Sequence, residues 1–302
     1  MKIALVTNQE NRHKFWAYEL YQQHDVRLIL LPTATSQGSV LSKMKAKKFD
    51  YYGPFWLLMK LLSLGYHQLS KNSFSQDLAL KEERYFGAYK EKFKEIPKEM
   101  VKEVYTVNDP KVIQMVKEAD IDLICFLGGD IARKDFIRSA KVAALNYHSG
   151  LSPFYNGNKT MFHAVSDFRP NLAGGTLMYI NERIDGGAIL AHYLPEIAEQ
   201  DTAADLFLKG IRGAVHLYSD FFHYLEKHPQ PCGVRQSRSF KYVRNIDWTY
   251  LNDIKLNKVS RYKIMKRYIR PATTIDYFDL SENSVADLCS RLVQQTLVKN
   301  KL

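Results

Sequence analysis

Two short apolar runs near the start of the chain, separated by one amphipathic stretch, place the strongest constraint on its fold. The runs Lys2–Thr7 and Val26–Leu31 flank an amphipathic segment from about Arg12 to His24. This is the spacing of a strand, a helix and a second strand in a right-handed βαβ unit. Because both runs are continuous rather than alternating, both faces of each strand should be buried, which favours a parallel sheet.

The same rhythm returns later in the chain, after a predicted helical insertion at about 36–100. An apolar cluster within the insertion, Phe55–Leu64, is predicted to be a buried helix rather than a membrane-surface element. The remaining predicted strands are Glu103–Val107, Ile121–Leu127, Val142–His148, Gly175–Ile180 and Ala188–Leu194. Helices are predicted to begin at Asp109-Pro110 and at Asp201-Thr202, the second running to about Glu226. The pattern predicts an α/β fold with a Rossmann-like, mostly parallel sheet and helices on both faces.

The character of the chain changes near residue 230, where we predict a domain boundary. Residues 1–230 would form the larger domain, and residues 231–302 a small C-terminal unit that is helical and basic. Within this unit, Lys255–Arg270 carries seven basic residues and no acidic one, with apolar residues at helical spacing. The segment is therefore predicted to be one amphipathic helix with a basic outer face.

The charge balance narrows the classes of partner without choosing one of them. The chain has 43 Lys and Arg against 32 Asp and Glu, a net charge of +11. Such an excess favours nucleic acid, anionic membranes, nucleotide-linked sugars or polyglutamylated folates. A generally basic soluble surface explains it equally well.

Cysteine usage and hydropathy indicate a cytoplasmic protein. Cys125, Cys232 and Cys289 are isolated and lack a nearby histidine at ligand spacing, so we expect neither a metal site nor disulfides. The start of the chain is too polar for a signal peptide. The longest apolar-looking stretch, Phe55–Tyr66, falls well short of the roughly 20 residues that a membrane span needs.

Glycines and polar residues follow two of the predicted strands, where an open α/β sheet binds its ligands. Gly128 and Gly129 come directly after one strand and let the backbone approach a flat ligand closely. Asn146 and His148 end the next strand two residues apart, so their side chains point to the same side. An Asn amide can donate to an oxyanion, and a His can move a proton near neutral pH. On its own, such a pair is more often structural than catalytic.

Two longer blocks carry a more specific signal. The first, Asn146–Gly157, has the sequence NYHSGLSPFYNG, and the second, Gly174–Leu190, is GGTLMYINERIDGGAIL. They resemble the folate-dependent formyltransferases, whose pattern is N-x-H-x-S-L-L-P-x-Y-x-G followed by an Asp in D-x-G some 37 residues after the His. Asp185 follows His148 by 37 positions. The resemblance implies that Asn146, His148 and Asp185 are catalytic, and that residues 1–230 are the formyltransferase catalytic domain.

The resemblance also implies two ligand sites and no metal. The formyl donor would be 10-formyltetrahydrofolate. Its pterin would lie between two loops, the first formed by Gly128, Gly129, Asp130 and Ile131, and the second by Arg183 and Ile184. The acceptor amine would face the residues that follow the catalytic strand, namely Ser149, Tyr155, Asn156, Gly157 and Asn158. The chain departs from the pattern at Ser152, where Leu is usual, and at Asn156, where Arg is frequent. Because that Arg often helps to hold substrate in the family, the acceptor site cannot be carried over from better-known members.

The three catalytic candidates would share one acyl transfer. Asn146 would stabilise an oxyanion, and His148 would either transfer a proton or polarise the formyl oxygen. Asp185 would set the charge and orientation of His148 or accept the proton through water.

The family allows several functions. The leading hypothesis is N-formylation of a nucleotide-linked amino sugar in polysaccharide biosynthesis. One rival is a methionyl-tRNA formyltransferase, in which residues 255–270 would contact RNA, and another is a formyltetrahydrofolate hydrolase. A homodimer stays open, because the basic helix could equally be a solvated face or a dimer edge.

Overall fold

The computed structural model describes residues 1–33, 58, 61, 62, 65, 66, 74–181, 186–228, 233–236 and 239–296. Its strands are β1 (Ile3–Thr7), β2 (Val26–Pro32), β3 (Val101–Val104), β4 (Leu123–Leu127), β5 (Ala143–His148), β6 (Tyr155–Gly157), β7 (Gly175–Tyr179), β8 (Ile189–Leu194), β9 (Lys241–Val243) and β10 (Thr273–Asp276). Its α-helices are α1 (Asn11–Gln23), α2 (Phe74–Phe86), α3 (Tyr89–Lys92), α4 (Pro110–Glu118), α5 (Lys134–Ile137), α6 (Thr160–Ser166), α7 (Ala203–Leu225), α8 (Tyr250–Arg261) and α9 (Val285–Thr296).

A sheet of eight strands organises the described part of the chain, in the order β10–β8–β7–β5–β4–β1–β2–β3. The five strands from β5 to β3 are parallel. On the other side of β5 the pairing is antiparallel: β7 pairs with β5, β8 with β7 and β10 with β8. Strand β5 therefore has a parallel neighbour on one side and an antiparallel neighbour on the other. The predicted α/β fold with a mostly parallel, Rossmann-like sheet is confirmed.

Strand β1 shows why the apolar runs are continuous. Ile3 and Leu5 pack into a core on one face of the sheet, together with residues of α1 and α7. Ala4 and Val6 pack into a second core on the opposite face, together with residues of α4. Because successive side chains of a strand point to opposite faces, a strand between two helical layers must be apolar at every position.

Two predicted helix starts are confirmed, and one predicted strand is displaced. The Asp109 side chain caps α4 by accepting from the backbone N of Lys111 at 2.8 Å. Thr202 precedes α7, and its backbone N donates to the Asp205 carboxylate at 2.8 Å. Strand β3 lies at Val101–Val104 rather than at 103–107, because its pairing with the end of β2 sets its position.

The insertion lies between β2 and β3, and α2 and α3 belong to it. The predicted buried helix around Phe55–Leu64 is wrong for the residues that can be checked. Leu58, Leu61 and Leu62 are 51%, 58% and 46% exposed. The other members of that apolar cluster lie outside the described residues.

The predicted single helix over Lys255–Arg270 is wrong. Helix α8 begins earlier, at Tyr250, and ends at Arg261. Lys263 then adopts a φ of 50°, in the left-handed region, and a 3₁₀ turn follows at Ile264–Tyr268. A left-handed residue cannot continue a right-handed helix, so the basic residues do not share one helical face.

Residues beyond the predicted boundary near 230 belong to both sheets of the described chain. Strand β10 pairs antiparallel with β8 at the edge of the large sheet, and β9 pairs with β6 in a small parallel sheet. The boundary stays a prediction, marked by a change of composition rather than by the end of the central sheet. Within the described ranges, no helix has both the length and the apolar character needed to cross a membrane.

Candidate active site

Asn146 and His148 lie at the carboxyl end of β5, between β4 and β7. Asn146 is the register partner of Phe126 on β4 and of Met178 on β7. The intervening Tyr147 points to the opposite face, where its hydroxyl donates to the carbonyl oxygen of Gly210 at 2.6 Å. The strand geometry therefore places the Asn146 and His148 side chains on one side, as predicted from their spacing.

The buried His148 ring is surrounded by acceptors at Nε2. The Tyr155 carbonyl oxygen lies 3.3 Å from this atom, and the Thr160 hydroxyl oxygen lies 3.5 Å from it. The Thr160 hydroxyl already donates to the Ser149 carbonyl oxygen at 2.6 Å. Both neighbours present oxygen acceptors, so the surroundings of Nε2 favour a proton on this nitrogen.

Gly150 makes room for this ring. A Cβ atom at position 150 would lie 2.6 Å from His148 Nε2 and would also collide with the Thr160 side chain. Such a distance is too short for any real contact, so even alanine would displace the imidazole. The glycine in N-Y-H-S-G, at the position where the family pattern has Ser, thus leaves the imidazole and Thr160 in the positions seen here.

A buried polar network fixes the loop after β5. Thr176 on β7 donates to the Gly150 carbonyl oxygen at 2.5 Å and accepts from the Ser152 backbone N at 3.0 Å. His192 on β8 lies 2.8 Å from the Ser152 carbonyl oxygen and 2.7 Å from the Tyr277 hydroxyl. Burial lowers the pKa of His192 to about 3, so the ring is neutral and acts as a support.

The turn after β4 lies beside this site, because β4 and β5 are parallel neighbours. Gly128 and Gly129 have φ values of 72° and 88°. A Cβ at position 128 would lie 2.8 Å from His13 Cε1, and one at position 129 would lie 2.9 Å from Val6 Cγ1. Both the backbone conformation and the packing therefore demand glycine, and the turn lies directly against β1 and α1.

The rest of this loop is held by the connection between β3 and α4. Asp130 accepts from the Ile131 backbone N at 2.7 Å and from the Thr106 hydroxyl. Asn108 donates to the Ile131 carbonyl oxygen at 2.8 Å and accepts from the Arg133 backbone N at 2.7 Å. The Ile131 side chain is 67% exposed and stands on this fixed loop.

His13 is a buried residue whose supporting role the sequence did not reveal. The Thr7 hydroxyl donates to the Leu127 carbonyl oxygen at 2.9 Å, so it accepts from His13 Nδ1 at 2.8 Å. Burial, with a contribution from the Arg12 charge, lowers the pKa of His13 to about 3. The neutral ring thus secures the point where β4 turns into the glycine loop.

The predicted acceptor residues are mostly directed into the protein. The buried Tyr155 donates through its hydroxyl to Asp167 at 2.9 Å, and the buried Asn156 donates to Gln236 at 3.2 Å. Gly157 has a φ of 103° and packs against the Val243 carbonyl. Ser149 is half-buried and Asn158 is exposed. A part for these five residues in acceptor binding stays a prediction.

Asp185, Arg183 and Ile184 lie outside the described residues. The chain on either side of them is described, and the Asn181 side chain donates to the Gly186 carbonyl oxygen at 2.9 Å. The Gly187 carbonyl oxygen accepts from Gln236 Nε2 at 2.7 Å. Gln236 is a second residue that the sequence analysis missed, because nothing in the local pattern marks a lone Gln in a polar segment.

Comparison with known proteins places the chain in a family. The model of the formyl transferase family matches residues 66–219, just over half of the chain, and the chain belongs to this family. A methionyl-tRNA formyltransferase from Levilactobacillus brevis is 30% identical over 121 residues, which cover 36% of this chain and 38% of that protein. One from Rhodopirellula baltica is 28% identical over 102 residues, which cover 33% and 30%. The chain thus matches only about a third of the length of these curated relatives.

Among solved structures, a sugar N-formyltransferase from a Shewanella species aligns with a TM-score of 0.49 and 16% sequence identity. The alignment covers 85% of this chain and 86% of that protein.

Proposed function

We propose that this protein transfers a formyl group from 10-formyltetrahydrofolate to a primary amine. The observation that carries the proposal is that Asn146 and His148 share one side of the end of β5, next to the glycine turn that ends β4. Ligands of open α/β sheets bind at such strand ends. Membership of the formyl transferase family supports the same chemistry.

The bound folate would supply the formyl group, and the chain would supply hydrogen bonds and a proton acceptor. The Asn146 amide can donate where an oxygen gains negative charge, and one such donor is typically worth ~10²–10³ in turnover. His148 would either transfer a proton or polarise the formyl oxygen, with Nε2 facing the oxygens of Tyr155 and Thr160. Asp185 keeps its predicted part in orienting His148 or in accepting the proton through water.

The loop after β4 fits a flat ring with polar edges. The turn carries no side chains at Gly128 and Gly129, and the exposed Ile131 offers an apolar surface beside main-chain polar groups. The Asp130 carboxylate already accepts two hydrogen bonds from its own surroundings, so it fixes the loop. These four residues would hold the pterin, with Arg183 and Ile184 as the predicted opposite wall.

For the acceptor, we infer an amino sugar carried on a nucleoside diphosphate. A groove of about 660 Å³ beside β6 is lined by aromatic rings and by the cations of Arg169, Lys241 and Lys255. Phe240 is 72% exposed and stacks on Phe154 with ring centroids 5.4 Å apart, so a base can stack on the Phe240 ring. Cations beside an aromatic platform suit a nucleotide and its phosphates.

Tyr155 connects this groove with the candidate catalytic site. Its ring lines the groove, while its carbonyl oxygen lies 3.3 Å from His148 Nε2. The carboxylate of Asp167, also in the groove, pairs with Lys241 and accepts from Tyr155, so its negative charge is compensated.

A methionyl-tRNA acceptor is the second candidate, favoured by the names of the curated relatives. In that case the exposed Lys255, Lys258 and Arg261 of α8 would contact the phosphate backbone. The groove is sized for a small molecule, in the range of ligand pockets generally, and for this reason we place the nucleotide-linked sugar first.

The functions separate in one assay. The full-length protein is incubated with 10-formyltetrahydrofolate, and tetrahydrofolate release is followed by absorbance with no amine, with a panel of nucleotide-linked amino sugars, and with methionyl-tRNA. Release only with an amino sugar supports the first proposal, and release only with methionyl-tRNA supports the second. Release without any amine identifies a hydrolase. No release under any condition, together with no binding of the folate, contradicts formyl transfer.

The groove has its own test. Phe240→Ala and Lys255→Ala should each raise KM for the nucleotide-linked amine about tenfold and leave KM for the folate unchanged, because a stacked base or a phosphate contact is worth ~1–3 kcal/mol. Tyr242→Ala is the matched control, since Tyr242 lies in β9, two residues after Phe240, is 55% exposed and does not line the groove. An unchanged KM for the nucleotide-linked amine in both groove variants would contradict binding of the nucleotide in this groove.

A further inference from the structure

Gln236 makes three side-chain contacts, each with a different element of the candidate active site. Its Nε2 donates to the Gly187 carbonyl oxygen at 2.7 Å and lies 3.4 Å from Met178 Sδ. Its Oε1 accepts from Asn156 Nδ2 at 3.2 Å. One half-buried side chain therefore joins β6, β7 and the start of the chain leading into β8.

Each of these contacts lies close in the chain or in the sheet to a predicted catalytic residue. Met178 is the register partner of Asn146 across the β5–β7 pair. Gly187 is two positions after Asp185. Asn156 comes directly after the tyrosine whose carbonyl oxygen faces His148.

The backbone at Gln236 is fixed independently of its side chain. Val234 and Ile189 exchange two backbone hydrogen bonds of 2.8 Å. The Arg235 backbone N donates to the Glu282 carbonyl oxygen at 2.9 Å, and the two side chains form an ion pair at 2.8 Å. The two residues before Gln236 are therefore anchored without its side chain, which leaves that side chain available for another purpose than holding the segment in place.

We propose that Gln236 is a positioning residue for formyl transfer, an inference that rests on the proposed function. Its amide ties the chain that follows Asp185 to β7, which pairs with β5 at Asn146, and to β6, whose Tyr155 carbonyl oxygen faces His148. It thereby sets the placement of Asn146 and His148 relative to the chain that follows Asp185. At neutral pH the amide meets both hydrogen-bonding demands and a carboxylate of the same shape does not, because the Gly187 carbonyl needs a donor and the Asn156 amide needs an acceptor. Supporting contacts of this kind affect turnover because a misplacement of 1 Å can cost ~10²-fold in rate.

The isosteric variant Gln236→Glu tests the chemistry of the contact. At neutral pH its carboxylate keeps the acceptor for Asn156 but sets a negative oxygen against the Gly187 carbonyl. We expect kcat to fall ~10–100-fold, with KM for folate and amine within about twofold of the parent values. Relative to the parent, kcat should recover as the pH falls toward the carboxyl pKa, because a protonated carboxyl can donate to the carbonyl oxygen. A merely structural residue would not produce this recovery.

Arg235→Ala is the matched control, since it alters the same segment without touching the site, and its kcat should stay within about twofold of the parent. Gln236→Leu, which keeps the volume but makes neither hydrogen bond, should lose activity without recovery at low pH. Circular dichroism and thermal unfolding establish that each variant is folded. Normal kcat for both folded Gln236 variants would overturn the proposal, as would an equal loss for Arg235→Ala.

A second measurement tests the positioning role of Gln236 independently of whether the protein transfers formyl groups. The His148 ring signals are followed by NMR in labelled protein, assigned with His148→Asn. Gln236→Glu should shift these signals and Arg235→Ala should not, whether or not formyl transfer occurs. If the parent releases no tetrahydrofolate with any amine, the proposed function fails on its own. Unperturbed His148 signals in Gln236→Glu contradict the positioning role.

Discussion

The two halves of the large sheet are stabilised in different ways. From β3 to β5 the strands are parallel, and their buried side chains are almost all apolar on both faces. On the antiparallel side, Thr176 and His192 are buried polar residues that specific hydrogen-bond partners satisfy. Strand β5 lies where the two halves meet. The comparison indicates that the candidate site takes its rigidity from apolar packing on one side and its precise placement from hydrogen bonds on the other.

The largest expected effect is on catalysis at the junction itself. Asn146→Ala, His148→Ala and Asp185→Ala should each lower turnover at least ~10²-fold, because each removes a hydrogen-bonding or proton-transfer group. Asn146→Ala should change stability little because Asn146 is half-buried, whereas His148→Ala should cost more because its ring is buried. Steady-state rates and urea unfolding measure the two effects. Near-normal rates in all three variants would eliminate this centre.

The parallel half should respond most strongly to loss of apolar volume. Leu5→Ala should lower the free energy of unfolding by about 3 kcal/mol, because Leu5 is fully buried between helices and strands. Leu5→Met, which nearly conserves volume, should cost under about 1.5 kcal/mol. Chemical denaturation gives both values. Equal costs for the two variants would show that side-chain volume is not what stabilises this half.

The antiparallel half should respond to loss of a buried donor. Arg270 donates to the carbonyl oxygens of Asn171 and Ala173 at 2.7 Å and of Pro195 at 3.1 Å, and burial lowers its pKa to about 10. It is therefore protonated at neutral pH. Arg270→Met should lower the free energy of unfolding by about 2 kcal/mol, since three acceptors lose their donor. A loss below ~0.5 kcal/mol in chemical denaturation would contradict this account.

The smallest expected effect is a difference in pH dependence. Because the folded pKa of His192, about 3, lies below the ordinary 6.5, the unfolded chain binds a proton first as the pH falls. The stabilisation from this neutral ring is complete above pH 6.5 and is lost as the pH falls from there toward 3. The glutamine in His192→Gln cannot titrate. Between pH 7 and 5.5 the free energy of unfolding of this variant should therefore fall by about 1 kcal/mol less than that of the parent. Parallel stability–pH curves for the two proteins would exclude His192 as a source of acid sensitivity.

Sequence patterns predicted the parts of the fold that depend on burial. The continuous runs at β1, β2 and β4 indicated strands covered on both faces, and the large sheet has this arrangement. The spacing of Asn146 and His148 correctly placed their side chains on one side of a strand end. Both predictions use periodicities that are fixed by local backbone geometry.

Features that depend on distant partners were not predictable in this way. The pattern at Lys255–Arg270 has helical spacing, but the helix ends before Lys263, and Arg270 turns inward to carbonyls about 75 to 99 positions away in the chain. Gln236 acquires its contacts from three elements that only the tertiary fold brings together. No local rule distinguishes such a glutamine from one in a surface loop.

Strand β10 lies along the outer edge of β8, whose six residues, Ile189–Leu194, are all buried. A shortened protein ending at the compositional boundary near 230 would lack this cover and would expose a long apolar edge with unpaired backbone groups. Such edges pair readily with other chains, so we expect truncation near 230 to favour aggregation. Strand β10 thus shields the edge of β8 from pairing with other chains.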